Sequence, residues 1–184
     1  GIKAVLQVVE GGRVPPEQVP LLAGKALREV EREHQLIQNL LLAQRLGQPG
    51  AMLVQSPVSL AALLREIVAR RRDLPGGDDV SFNLDIRCDA TIVGDPAALR
   101  SILDNLLDNA VKYGGRDVDI QIDRHGGFGK LCVADNGMGF MPEAAEALFI
   151  PFHRAANAAG GQQGTGLGLH ISRTLARRMA GDVT

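Results

Sequence analysis

The 184-residue chain is 45% hydrophobic and carries a net charge of −1. That composition supports a buried core, excludes wholesale disorder, and gives no electrostatic basis for binding nucleic acid or an anionic membrane surface. No apolar run nears the roughly 18 residues of a membrane span and no signal peptide is visible; Cys88 and Cys132 lie far apart without metal-ligand spacing, which reads as a reduced cytosolic pair.

Residues 2–10 (IKAVLQVVE) read as a helix without a capped beginning, and GGRVPPEQ breaks it with glycines before prolines open the next. The second helix is predicted from about Pro16 to Leu46. Ala23, Leu27, Val30, His34, Ile37, Leu41 and Gln44 recur in alternating steps of four and three, a heptad seam with two polar members. Leu22, Ala26, Leu36 and Leu40 widen the apolar face. Such a hairpin either pairs with a second copy in a four-helix bundle or packs on its own domain. GQPG (47–50) ends the unit.

After it the period changes. MLVQ suggests a short strand and LAALLREIVARRR a helix, whose terminal Arg70, Arg71 and Arg72 are expected to complement its dipole rather than bind an anion. VSFNLDIRCDATIVGD alternates and is β-branched, so it reads as strands. Asp95-Pro96 is a helix start, with Asp as N-cap and Pro in the first turn, and that helix runs to about Lys112. VDIQID (118–123) and KLCVAD (130–135) form a hairpin around HGGFG. A loop-rich region, 136–165, leads to a last helix over about 166–179. The mixed order suggests an α/β sandwich.

Within DPAALRSILDNLLDNAVKY, Leu99, Ile102, Leu103, Leu106 and Ala110 fall on one helical face as a core stripe, and Asn105, Asn109 and Lys112 on an adjacent one. Two mid-helix asparagines are either part of a solvated face or amide oxygens aimed, with the ammonium, at a ligand such as Mg²⁺ and its phosphates. DNGMGF (135–140) is either an ordinary Asn-Gly turn or an acceptor carboxylate followed by glycines that admit close backbone approach. GQQGTGLGLH (161–170) adds a third glycine loop, matching neither common phosphate-loop pattern.

These blocks together resemble the N, G1, F and G2 boxes of the histidine-kinase ATP-binding domain, which belongs to a wider group with DNA gyrase, mismatch-repair ATPases and heat-shock chaperones. The N box reads NLLDNAVKY (105–113), G1 DNGMGF, the F box FIPFHR (149–154) and G2 GTGLGL (164–169). The lead-in GDPAALRSIL fits as well. EREHQLIQNLLLAQRL is more weakly similar to the second helix of the family's dimerisation hairpin.

The resemblance implies an α+β fold: a two-layer α/β sandwich, a mixed sheet with helices on one face, behind an N-terminal helical hairpin. It divides the chain into a partial hairpin (1–48), a linker (49–56) and an ATP-binding domain (57–184). It implies ATP and Mg²⁺ as cofactors. Asn109 is then the metal ligand, and Asn105 orients water or the transferring phosphate. Lys112 meets phosphate, Tyr113 lies against the adenine, and Asp135 accepts from its amine. Gly137 and Gly139 admit the nucleotide, Phe149 and Phe152 anchor a lid, and Arg154 reaches the γ-phosphate. Gly164, Thr165, Gly166, Leu167 and Gly168 bring backbone N–H groups and a helix N-terminus to the phosphates. Asn stands at position 105, where hydrolytic relatives carry a glutamate; it cannot act as a base, which points to transfer onto a protein side chain.

The chain departs from the family in two respects, an acceptor histidine and the length of its C-terminus. None of its four histidines has the acceptor context of His, then an acid, then proline; His34 reads as a seam residue, and the register of GIKAVLQ places an acceptor upstream of Gly1. GDVT looks like the start of a terminal strand pair. Two functions follow. One is the core of a two-component protein-histidine kinase: cytoplasmic, homodimeric through the hairpin, passing phosphate to a response-regulator receiver domain, and touching neither nucleic acid nor membrane through this segment. The other is a non-catalytic nucleotide-binding dimeric scaffold.

Overall fold

The computed structural model describes residues 7, 15–24, 26–27, 30, 33, 37, 41, 53–73, 80–153 and 166–184. The chain divides into two compact units, Gly1–Ala51 and Met52–Thr184. In the first, a 3-10 turn at Pro16–Gln18 runs into helix, and every described residue from 19 to 41 is helical. Leu27, Val30, Ile37 and Leu41 of the expected seam are 45 to 56% exposed in the single chain. His34 and Gln44 lie outside the described residues.

The second unit begins with β1 (Ser56–Ser59), which runs directly into α1 (Leu60–Arg72). The strand is SPVS rather than the expected MLVQ. Ser59 caps α1, its Oγ accepting from the Ala62 N–H at 3.1 Å and donating to Asp89 Oδ1 at 2.7 Å. Next come β2 (Ser81–Ile86) and β3 (Thr91–Gly94), then α2 (Pro96–Tyr113), and the hairpin of β4 (Asp117–His125) and β5 (Phe128–Asp135). The last helix, α3, spans Gly168–Arg178.

β1 and β3 form an antiparallel pair; β2, β4 and β5 form a mixed sheet with β4 central, parallel to β2 and antiparallel to β5. The parallel step is possible because β3 and α2 make the crossover between β2 and β4. The hairpin closes through Gly126 and Gly127, both at positive φ, as a two-residue turn of the kind that follows strand twist requires. Alternation then separates the faces. Phe82, Leu84 and Ile86 pair in register with Val118, Ile120 and Ile122, and these face a core completed by Leu64, Ile67 and Val68 of α1 and Leu103 and Leu107 of α2. Asn83, Asp85, Asp119 and Gln121 take the opposite face, where Asn83 Nδ2 donates to Asp119 Oδ1 at 2.9 Å and Gln121 Nε2 to Asp85 Oδ2 at 3.1 Å.

Two sequence expectations need correction here. On α2 the fully buried leucine is Leu107, while Leu106 is only half-buried. The helix is covered on two flanks, by α1 and the sheet on one side and by α3 on the other, so a single stripe does not describe it. Secondly, Arg70–Arg72 do more than complement a dipole. Arg71 donates to Asp108 Oδ1 at 2.6 Å and to Asp104 Oδ1 at 3.0 Å, Arg70 reaches Asp104 at 3.4 Å, and Arg72 donates to the Phe82 carbonyl at 3.1 Å. They staple α1 to α2 and to β2.

Candidate nucleotide site

α2 starts where the sequence says it does. Asp95 Oδ1 accepts from the Ala97 and Ala98 N–H groups at 2.9 and 3.1 Å, and Asp95 Oδ2 accepts from the Val54 N–H at 3.0 Å. This fixes the helix that carries Asn105, Asn109, Lys112 and Tyr113. At its far end α2 is interlocked with the loop after β5. A Cβ on Gly137 would stand 2.1 Å from the Tyr113 carbonyl oxygen, and one on Gly114 would stand 2.2 Å from the Asp135 Cβ. The two bare backbones let Tyr113 and Asp135 sit side by side. Gly137 therefore serves the joint between helix and loop, where it admits the close approach of Tyr113. Gly139 has φ +60, and a Cβ there would meet nothing within 4 Å.

Asp135 is exposed, and its Oδ1 accepts from the Gly137 N–H at 3.0 Å, which holds the carboxylate at the loop entrance. The Lys112 ammonium lies 4.8 Å from the centroid of the Tyr113 ring. Lys112, Tyr113, Gly137 and Met138 line one open groove of about 790 Å³ at this end of α2. Asn109 is half-buried, whereas Asn105 is only 7% exposed and donates through Nδ2 to the Gly168 carbonyl at 3.4 Å and to Ser172 Oγ at 3.3 Å. The two asparagines thus part company: Asn105 ties α2 to the first turn of α3, and Asn109 stays nearer the surface.

The F box and G2 glycines meet through backbone. Phe152 N–H donates to the Gly166 carbonyl at 3.0 Å, and a Cβ on Gly166, at φ +68, would stand 2.7 Å from the His153 carbonyl oxygen. Of the two phenylalanines only Phe149 is packed, with the Arg173 guanidinium 4.4 Å from its ring; Phe152 is 74% exposed at φ +62. Leu167 and Gly168 open α3. Arg154, Gly164 and Thr165 lie outside the described residues.

Sequence reasoning missed the ion pairs behind this site. Arg173 contacts Glu146 at 2.7 Å and Asp182 at 3.1 Å; Arg177 contacts Asp182 at 3.1 Å. Arg173 holds the Glu146 carboxyl below its ordinary range, and hydrogen bonds from Arg177 and then Arg173 bring Asp182 down to about 2. The available signal was spacing: His170, Arg173 and Arg177 recur at three and four residues and so share one face of α3.

Residues 94–184 match the family model described as histidine kinase-, DNA gyrase B- and HSP90-like ATPase. This segment belongs to that family. Among proteins similar to this chain, the sensor histidine kinase YvrG of Bacillus subtilis (strain 168) is 30% identical over 164 residues, covering 87% of this chain and 28% of that protein. The full-length ShkA structure in complex with AMPPNP shares 28% identity at a TM-score of 0.66, over 91% of this chain and 35% of that one. The mycobacterial sensor histidine kinase MprB shares 25% identity at a TM-score of 0.60, over 69% of this chain and 81% of that one. The chain spans under a third of the curated relatives' length. The fold is the α+β fold of histidine-kinase catalytic domains, mixed sheet included. No helix among the described residues is long and apolar enough to cross a membrane.

Proposed function

We propose that this chain is the core of an ATP-dependent protein-histidine kinase of a two-component system. Its product is a phosphohistidine on the dimerisation hairpin, and the phosphoryl group then passes to a response-regulator receiver domain. The observation that carries this reading is that two further sequence blocks meet α2, the G1 loop at its C-terminal end and the G2 loop at its middle. Gly114 and Gly137 lock the G1 loop to Tyr113, and Asn105 ties the helix to Gly168, near the end of G2.

In this reading Tyr113 lies against the adenine and Asp135 accepts from its amine. Lys112 already places a positive charge beside Tyr113, on a flexible stem that can turn to phosphate. Gly166 and Gly168 present backbone N–H groups at a helix N-terminus to the phosphates. Asn105 acts by holding that helix start against α2, a more indirect part than its position in the motif suggests. The residues present suit Mg²⁺ that arrives with its nucleotide. Among the described residues no three His, Cys, Asp or Glu side chains form a metal cluster, while the Asn109 amide oxygen is a hard donor of the type that complements phosphate oxygens. When bound, the ion supplies charge neutralisation of the phosphates. In this reading Arg154, Gly164 and Thr165, outside the described residues, also serve the phosphates. ShkA, the relative solved with AMPPNP, supports nucleotide as the ligand.

We assign residues 1–48 to the dimerisation hairpin, 49–56 to a linker and 57–184 to the catalytic domain, in the cytoplasm. The exposed Leu27, Val30, Ile37 and Leu41 support a homodimer seam, since a row of large apolar side chains at heptad spacing needs cover. To test the kinase, an intact hairpin with its histidine is supplied together with γ-labelled ATP. Acid-labile, base-stable phosphate on the hairpin is expected. Nucleotide binding without transfer would instead support the scaffold.

A further inference from the structure

Arg173 stands out among the described side chains outside the motifs. Its side chain is only 13% exposed, although it sits on the last helix of an open surface. Its guanidinium is committed on several sides at once. Nη1 and Nη2 grip both Glu146 oxygens at 2.7 and 3.4 Å, Nε donates to Asp182 Oδ1 at 3.1 Å, and the plane lies 4.4 Å from the Phe149 ring centroid. One turn earlier, His170 Nδ1 stands 3.0 Å from the Phe149 carbonyl oxygen, a contact that only the Nδ1-protonated ring can make as a donor. Three residues beyond Phe149, the chain is fastened again where Phe152 N–H donates to the Gly166 carbonyl. Phe152 takes a left-handed φ of +62 there, a costly conformation for a bulky side chain that persists only where its surroundings over-determine it.

The segment from Glu146 to His153 is therefore tied to α3 at one end, through Glu146 and Phe149, and at the other to Gly166, two residues before α3 begins. A change in the seating of Phe149 on α3 is passed through three residues of chain to the glycine turn.

We propose that Arg173 is a positioning residue for the phosphate end of the nucleotide. It seats the F-box segment on α3 and thereby sets the Gly166–Gly168 turn relative to α2. The role rests on the nucleotide reading above and adds to it a residue outside all four boxes. Arg173 does not bind phosphate directly, because its donors already point at Glu146 and Asp182. The adenine end, at Tyr113 and Asp135, is independent of it. A residue that only added stability would weaken binding of every ligand alike or of none. Arg173 should instead change the preference for phosphate-bearing ligands.

The test uses the 184-residue chain and two ligands, Mg-ATP by calorimetry and adenosine by Tyr113 emission. Arg173→Ala should weaken Mg-ATP about tenfold and leave adenosine unchanged, the scale expected when a binding group is misplaced rather than removed. Arg173→Lys, which keeps the charge but loses the fork, should recover part of the loss. Should Arg173→Ala fail to fold, Glu146→Gln carries the test, with a loss of about threefold for Mg-ATP alone as one of the two grips weakens. Equal losses for both ligands, or no loss for Mg-ATP, would overturn the role while leaving the nucleotide site standing. A wild-type chain that binds neither ligand would overturn both.

Discussion

Replacing Gly137 by alanine tests the joint on which the site depends. The new methyl carbon would stand 2.1 Å from the Tyr113 carbonyl oxygen, 2.5 Å from the Gly114 Cα and 2.8 Å from the Tyr113 carbonyl carbon. All three are backbone atoms, so no side chain can rotate away. Ordinary contact begins near ~3.4 Å, so the loop or the end of α2 must move by about 1 Å, and overpacking of this kind costs about 3 kcal/mol. At about 3 °C per kcal/mol for a unit of this size, the melting midpoint should fall by about 10 °C. Gly139→Ala is the control: nothing lies within 4 Å of its Cβ position, and only its φ of +60 resists substitution. That costs about 1 kcal/mol, or about 3 °C. Differential scanning calorimetry of both variants reads the difference. Because movement of the joint separates Tyr113 from Asp135, Gly137→Ala should also bind Mg-ATP more weakly than Gly139→Ala. Equal melting shifts, or a larger shift for Gly139→Ala, would refute the interlock.

The remaining expectations concern packing, charge and metal. Leu107→Ala removes a fully buried side chain between α1, the sheet and α2, and should cost about 3 kcal/mol in denaturant unfolding, more than Leu106→Ala. Arg71→Met leaves Asp104, 8% exposed, with only the more distant Arg70, and should destabilise by about 2 kcal/mol or more, read from the urea midpoint. Asp182 has its carboxyl lowered to about 2 from an ordinary 3.8, so its contribution to fixing the C-terminal residues on α3 is complete above about pH 4 and is lost as pH falls through 2. A carboxyl NMR titration should show that depressed midpoint, and an ordinary one would contradict the pairing. Asn109→Ala should abolish the Mg²⁺ dependence of ATP affinity in a calorimetric titration with and without the ion.

The sequence made the local features legible because they are written in nearby residues. Asp95 and Pro96 announce the start of α2 through capping chemistry, and Gly126-Gly127 sets the hairpin register through turn geometry. The helix-strand order gave the layers. What stayed hidden depends on residues distant in sequence. Arg71 and Asp104 lie 33 positions apart and Arg173 and Glu146 27 apart, and nothing local pairs them. Gly137 illustrates a motif residue with a packing task beside its expected one. Its spacing marks a nucleotide loop, but only the packed structure shows that its missing side chain makes room for the Tyr113 carbonyl. The helical wheel sets Asn105 beside Asn109 on one stripe, and it cannot register that α3 covers one of the two.

The most direct test of the nucleotide site is a calorimetric titration of the 184-residue chain with Mg-ATP, with Tyr113 emission followed in parallel. As the only tyrosine in a chain without tryptophan, Tyr113 reports the adenine contact without interference. Saturable heat together with quenching of that emission is the predicted result. No heat and no change in emission would contradict the assignment of Tyr113, Asp135 and the glycine turns to an ATP site.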